Sequence, residues 1–344
     1  MSTPVLEISR GAFRANLAAV RARLGESQLM LVMKDDAYGH GIDWAVSEAE
    51  AAGVSWFGGY DIPTALRIRA LTSQRVYAWA TSSASEVEAA IRAGIELGIG
   101  STAYLAAVIA RAELLGIRTA LHLKIDTGLH RNGFRPEDWA AAVGIARAAE
   151  ERGSVRIAGV WSHLAEASDE EDDAAQAVFL EAVRHLEAVG GTPEALHLTA
   201  SAAAWWRPEL RGTLSRIGAF CYGIRSADGP VLDGLSLISR LVATVDAVEG
   251  DTVRVGLGAF HGLPSVLQGA EVATPGGLRR IVRIDGDATT VAAWPGARIG
   301  DRVIVFGPGD DGESDATALA ERMDTVGEEI LTRLTPAVSR LLGP

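Results

Sequence analysis

Residues 29–41 read Leu29-Met30-Leu31-Val32-Met33-Lys34-Asp35-Asp36-Ala37-Tyr38-Gly39-His40-Gly41. An unbroken apolar run gives way to a lysine, two aspartates and a glycine-punctuated loop. That is a short strand buried on both faces, ending in a polar mouth. A strand with two buried faces belongs in a parallel sheet sheathed by helices. The same texture recurs at Ser55–Gly58, Arg75–Ala80, Glu96–Ile99, Ala120–Ile125, Ile157–Ser162, Ala195–Thr199 and Thr213–Arg216. Helical patterns lie between them, at Phe13–Leu24, Pro63–Ala70, Glu86–Ala93, Tyr104–Leu115, Trp139–Ala149 and Ala174–Val189, with Ser101 and Pro136 at expected helix starts. Strands and helices alternating through two thirds of the chain predict a closed (β/α)8 barrel; an open doubly wound sheet is the competing arrangement.

After about Asp233 the texture changes. Strand-like pieces at Leu237–Val248, Thr252–Val255, Leu278–Ile284, Thr289–Ala293 and Arg302–Phe306 come with turn signals at Glu249–Gly250, Pro275–Gly276 and Pro295–Gly296. The expected division is a barrel domain over residues 1–232 and a smaller, mostly-β domain over residues 233–344. A terminal helical segment is expected at Met323–Leu342, kinked or divided by Pro336.

The 344 residues exceed the usual size of one core, and 48% are apolar, enough to fill two. A net charge of −12 argues against nucleic acid and anionic membrane surfaces as partners. The single cysteine, Cys221, permits no intramolecular disulfide and reads as a small buried hydrophobe. No apolar leader and no membrane-length run is visible, so a cytoplasmic location is expected. Asp310–Ser314 is the one stretch with a disordered texture.

Barrel enzymes carry their chemistry at the C-terminal ends of the strands. Here Lys34 follows the first strand, Lys124 ends the fifth and leads into Asp126-Thr127-Gly128-Leu129-His130-Arg131, and His163 follows the sixth. Ser201 meets the seventh, and Arg216 and Gly218 close the eighth. An amine in a dry pocket suits capture of an aldehyde cofactor. A phosphate needs hydroxyls and backbone N–H groups, which Ser201 and the Gly218 turn supply. A pyridine nitrogen needs a partner, and Arg216 is the candidate. Asp35 and Asp36 read as a solvated loop face. No metal site is expected.

Lys34-x-x-Ala37-Tyr38-Gly39-His40-Gly41 resembles the lysine signature of the alanine racemase family, whose members are fold-type III enzymes of pyridoxal 5′-phosphate (PLP). Lys124-Ile125-Asp126-Thr127-Gly128-x-x-Arg131-x-Gly133 resembles that family's second signature. Ser162-His163-x-Ala165, Ala200-Ser201-Ala202-Ala203 and Arg216-x-Gly218-x-x-x-Tyr222-Gly223 follow in the family's order. The resemblance implies a barrel that binds PLP, a small amino acid as substrate, and a homodimer with shared active sites. It implies Lys34 as the covalent anchor of the cofactor and the base for one face of the substrate's α-carbon. Tyr38, Ser201, Gly218 and Ala219 are the implied phosphate ligands, with Tyr222 in the same signature. His163 is implied beside the cofactor ring and Arg216 at the pyridine nitrogen. Arg131 would help orient the substrate or the second base, braced by a carbamylated Lys124.

The chain departs from the family where the second base stands. That base is a tyrosine of the β domain, and none of the five tyrosines here follows Tyr222. The corresponding stretch, Leu257-Gly258-Ala259-Phe260-His261-Gly262-Leu263-Pro264, puts Ala259 at its place and offers His261 as a substitute, since imidazole titrates near neutrality. Glu328 stands where a phosphate-binding tyrosine is expected, and Arg283 or Ile284 where a methionine is. The activity so implied is amino-acid racemisation. The alternatives are a one-base PLP reaction (aldol cleavage, decarboxylation or elimination) and a non-catalytic PLP-binding homologue.

Overall fold

The computed structural model describes residues 3–344. The chain forms two compact units. The first to be considered comprises Val20–Ala37 and Ile42–Gly218. The second comprises the residues up to Ala19, Tyr38–Gly41 and Ala219–Pro344.

Strand β1, Val5–Ser9, belongs to the second unit. The first unit holds β2 (Gln28–Val32), β3 (Trp56–Gly59), β4 (Arg75–Ala78), β5 (Glu96–Ile99), β6 (Thr119–Lys124), β7 (Val155–Trp161), β8 (Ala195–His197) and β9 (Leu214–Ile217). They pair in parallel in the order β8-β7-β6-β5-β4-β3-β2-β9. The remaining edges approach where Arg216 N–H donates to Thr199 O at 3.2 Å and Leu196 N–H to Thr213 Oγ1 at 2.9 Å. This is the expected (β/α)8 barrel, and each predicted barrel strand lies within two residues of an observed one. The strands are buried almost throughout because helices cover one face and side chains fill the other. Met30, Trp56, Tyr77, Trp161, Ala195 and Leu214 make the apolar filling.

Local chemistry sets where the covering helices begin. Asp61 accepts from Thr64 N–H at 2.8 Å, and Ser101 from Tyr104 N–H at 3.3 Å. Ser83 and Glu86 form a capping box. Pro136 opens the helix Pro136–Glu151. Ser168 caps Asp169–Ala188, whose first turn carries Asp169, Glu170, Glu171 and Asp172, favourable at the positive end of the helix dipole.

The second unit holds one antiparallel-rich sheet. Its strands are β1, β10 (Ser239–Glu249), β11 (Thr252–Val255), β12 (Glu271–Thr274), β13 (Gly277–Ile284), β14 (Thr289–Ala292), β15 (Arg302–Phe306) and β16 (Ser339–Gly343). The order β11-β14-β13-β12-β15-β10, with β10 also pairing β11, closes six strands into a ring that β1 and β16 extend. The predicted turns at Glu249–Gly250 and Pro275–Gly276 join hairpins whose closing pairs are Glu249↔Thr252 and Thr274↔Gly277. The predicted β texture therefore holds.

The predicted terminal helix over Met323–Leu342 does not form. Only Gly327–Thr332 is helical, and Ser339–Gly343 is a strand parallel to β1. Arg340 explains the change of course. Its guanidinium donates to Leu334 O, Thr335 O and Val338 O, carbonyls that a continuing helix would have used itself. Ala316–Glu321 is a further helix that the sequence reading did not find. Asp310–Ser314 is a turn rather than disorder, because buried Glu313 accepts from Gly309 N–H and Asp311 N–H at 3.1 and 2.9 Å.

Strand β1 lies between β10 and β16, with Leu6 fully buried. Leu6→Ala is expected to destabilise the protein by about 2–5 kcal/mol. An unchanged midpoint in urea unfolding would show that this strand is not part of the stable fold.

Candidate active site

Lys34 stands at the C-terminal end of β2, after Met33, whose N–H donates to Gly58 O at 2.8 Å. The chain then turns left-handed: Asp35, Asp36 and Ala37 have φ of 53, 55 and 56° and ψ of 46, 51 and 50°. L-residues pay about 1–2 kcal/mol each for this region, so the turn needs support. Ala37 N–H donates to Met33 O at 3.2 Å. Asp36 Oδ1 accepts from Ile42 N–H at 3.0 Å and from Arg67 at 2.6 Å, and Arg67 also grips Asp43. Asp36 is thus an anchor of the lysine turn rather than only a solvated carboxylate. Asp35 is exposed.

Arg216 lies on β9 and is 4% exposed. Its Nη1 donates to His197 O at 2.6 Å and to His197 Nδ1 at 3.1 Å. Its Nη2 donates to Ser162 O at 2.7 Å, His163 Nδ1 at 3.2 Å and Leu198 O at 3.2 Å. Burial pulls its pKa down to about 10, so it stays charged at neutral pH. No carboxylate touches it among the described residues.

The uncompensated charge marks its neighbours. Burial first, then the charges of Arg216, Arg131, Lys124 and Lys34, push His163 down to about 3. His163 is therefore neutral at pH 7, accepting at Nδ1 and keeping its proton on Nε2. Lys124 is lowered to about 8, mainly by burial, then by Arg216 and Arg131, against the opposing Asp126. Its ammonium lies 4.5 Å from the centre of the Trp161 ring. An amine at about 8 is neutral often enough to act as a nucleophile.

Arg131 is exposed on the loop after β6. Asp126 shapes that loop by accepting from Gly128 N–H, His130 N–H and His130 Nδ1 at 3.2, 3.0 and 3.0 Å. Phe134 returns the chain by exchanging 2.8 Å bonds with Lys124 O and Asp126 N–H. Gly133, with φ of 133°, is required here, since a Cβ would lie 2.8 Å from Asp126 N.

Ser201 begins the short helix Ser201–Trp206, and its Oγ accepts from Gly218 N–H at 3.3 Å. Glu166, unremarked in the sequence, accepts from Ala203 N–H at 2.9 Å in the same helix. Burial raises its pKa, although that hydrogen bond works against the rise.

Tyr38, Ala219, Tyr222 and His261 belong to the other unit. Tyr222 is fully buried, 4.9 Å from Tyr38, 5.4 Å from His40 and 5.5 Å from Phe13 between ring centres. It is a packing centre for the Tyr38–Gly41 segment. Cys221 is buried beside it, as expected, and desolvation pushes its thiol pKa up. His261 ends the turn Ala259–His261, where its Nδ1 accepts from Gly258 N–H at 3.0 Å. Phe260 next to it is 76% exposed.

Three buried polar residues inside the barrel were not singled out from the sequence: Glu96 on β5, His122 on β6 and His197 on β8. Glu96 Oε2 meets His122 Nε2 at 2.8 Å, and His122 Nδ1 meets His197 Nε2 at 2.8 Å. The only signal was a polar residue inside an otherwise apolar strand. Among the described residues, no cluster of potential metal ligands exists and no helix is long and apolar enough to cross a membrane.

Comparison with known proteins places this geometry in context. Residues 8–226 match the family model of the alanine racemase N-terminal domain, and residues 245–342 that of the alanine racemase C-terminal domain. The chain is 34% identical to an alanine racemase of Thermobifida fusca, covering 97% of this chain and 96% of that one. It is 33% identical to one of Beutenbergia cavernae, with the same coverage. The solved alanine racemase of Streptomyces coelicolor superposes with a TM-score of 0.94 at 30% identity, over 99% of this chain and 98% of that one. That of Streptomyces lavendulae gives 0.93 at 31% identity, over 100% and 98%.

The depressed His163 has a measurable consequence. Its ordinary value is 6.5 and its folded value about 3, so between these the unfolded chain takes up a proton that the native one refuses. Stability from this group is whole above 6.5 and falls as pH drops toward 3. In NMR titration of the cofactor-free protein, the His163 ring is expected to keep its neutral shifts from pH 8 to about 5. A midpoint near 6.5 would contradict the burial and cationic surroundings of this ring.

Proposed function

The chain belongs to the alanine racemase family, and on that premise we propose that it interconverts the enantiomers of alanine, or of another small amino acid, by moving the proton on the α-carbon. It is an isomerase fold, and the family's cofactor is PLP. The residues present fit that group. Arg216 uses only Nη1 and Nη2 in its hydrogen bonds among the described residues, so Nε–H is left for an acceptor such as a pyridine nitrogen. That leftover donor on a buried cation is the observation that carries the reading. Three cations, Lys34, Arg131 and Arg216, bear on His163, a field suited to a phosphate or a substrate carboxylate, and Lys124 adds to it only while it is unmodified.

When bound, PLP withdraws electrons from the α-carbon and so acidifies its proton. Lys34 would hold the cofactor and move that proton on one face. Arg216 would donate to the ring nitrogen without protonating it, because an arginine does not give up its proton at neutral pH. His163, neutral and hydrogen-bonded to Arg216, would stand beside the ring. Ser201 and the Gly218 backbone would hold the phosphate, and the family resemblance adds Tyr38 and the Ala219 backbone as ligands, with Tyr222 packing the Tyr38 segment. Arg131 would orient the substrate or the second base, and Lys124, as a carbamate, would brace it.

For the second face no tyrosine follows Tyr222, and His261 is the proposed replacement. The same absence favours a second reading, a PLP reaction that needs one base only. The working form is a cytoplasmic homodimer with shared sites, with no nucleic acid or membrane partner.

Incubating PLP-loaded protein with L- and D-alanine in D2O separates these readings. Exchange at the α-carbon from both enantiomers is expected, with loss from one enantiomer in His261→Ala by about 10²–10⁴-fold. One-face exchange in the unaltered protein would establish the one-base alternative. Visible cofactor absorbance that survives Lys34→Ala would refute the anchor.

A further inference from the structure

A hydrogen-bonded chain crosses the barrel interior from Arg216 to Glu96. The steps are Arg216 Nη1 to His197 Nδ1 at 3.1 Å, His197 Nε2 to His122 Nδ1 at 2.8 Å, and His122 Nε2 to Glu96 Oε2 at 2.8 Å. Both histidines are fully buried and Glu96 is 6% exposed. The barrel makes room for the middle link: a Cβ at Gly159 on β7 would overlap His122 Nδ1. Beyond Glu96, Arg75 grips both carboxylate oxygens, at 2.5 and 2.8 Å, and stacks 3.7 Å over the Trp56 ring.

The ends of this chain dictate its middle. A guanidinium only donates, and an ionised carboxylate only accepts. Glu96 is ionised at neutral pH, since the hydrogen bonds from His122 and Arg75 overcome the effect of burial and hold it at about 2. Burial keeps both imidazoles neutral. One arrangement then satisfies every atom: His122 carries its proton on Nε2 and so does His197, leaving His197 Nδ1 as the lone pair that receives Arg216.

We propose that Glu96 is a positioning residue for the cofactor, acting through His122 and His197 to hold Arg216 with its Nε–H directed to the ring nitrogen. The inference rests on the PLP reading of Arg216. Glu96 fixes the direction of the relay, and Arg75 neutralises its charge away from the site. Replacing Glu96 by glutamine reverses that direction. Arg75 offers only donors and claims the single amide oxygen. The amide nitrogen then faces His122, both rings shift their proton to Nδ1, and a proton is set against Arg216.

The test begins with cofactor-free protein labelled with ¹⁵N-histidine. Unaltered protein is expected to show His122 and His197 as neutral Nε2–H forms, and Glu96→Gln to convert both to Nδ1–H. With PLP and alanine, Glu96→Gln is expected to shift the visible spectrum of the bound cofactor and to lower kcat by up to ~10²-fold with KM little changed. Should that variant not fold, His122→Asn breaks the same link and is expected to give the same kcat loss. An Nδ1–H or charged ring in the unaltered protein overturns the proposal, as does a folded variant with unchanged spectrum and kcat. Failure of the racemase reading looks different: the unaltered protein would take up no cofactor, while the ring tautomers would still be seen.

Discussion

A guanidinium buried without a carboxylate beside it sets the terms for the rest of this barrel. Three backbone carbonyls and two imidazole lone pairs solvate Arg216. Dipoles can satisfy its protons but cannot cancel its charge. In a low-dielectric interior that charge reaches its neighbours undiminished by water. A contacting aspartate would have extinguished the field. The nearest carboxylate along the relay, Glu96, stands two imidazoles away and is already matched by Arg75. A chain with a net charge of −12 thereby gathers Lys34, Lys124, Arg131 and Arg216 around His163.

The parallel sheet makes this arrangement possible. Inward-facing side chains of alternate strands stack in layers, so residues far apart in sequence meet inside the barrel. Glycine at 159 leaves space between them where any side chain would block the His122–His197 contact. The loops at the mouth are fixed by separate local devices: Asp36 with Arg67 under Lys34, and Asp126 with Gly133 under Arg131. The barrel interior sets the charge and the mouth sets the geometry.

These two kinds of information differ in how far a sequence reveals them. The barrel strands were legible because each is a short run buried on both faces, bounded by helix caps such as Ser101 and Pro136. The mouth residues were legible because they follow strand ends. Strands β1 and β16 were not, since their pairing joins Val5 to Ser339 and Leu341 and Leu342 remain half exposed. A pattern of adjacent leucines near the terminus looked helical until Arg340 claimed the carbonyls. Glu96, His122 and His197 were invisible for a deeper reason. Their partners lie 26 and 75 residues away, and a buried polar residue has no periodicity to announce it.

The part of the site with the weakest sequence signal is the second face of the α-carbon, and there magnitudes decide. With PLP bound, an arginine donor rather than a proton at the ring nitrogen would make the cofactor a weaker electron sink, so positioned bases would matter more. As folded, His261 accepts from Gly258 N–H at Nδ1, which puts its proton on Nε2 and leaves no free lone pair. Acting as a base at Nε2 would require it to give up that bond and exchange tautomers. A single hydrogen bond of this kind is worth about 0.5–1.5 kcal/mol, roughly a tenfold effect on rate. A missing base costs about 10²–10⁴-fold. The tautomer change is therefore the smaller obstacle, and the bond to Gly258 does not disqualify His261 as the replacement for a phenol.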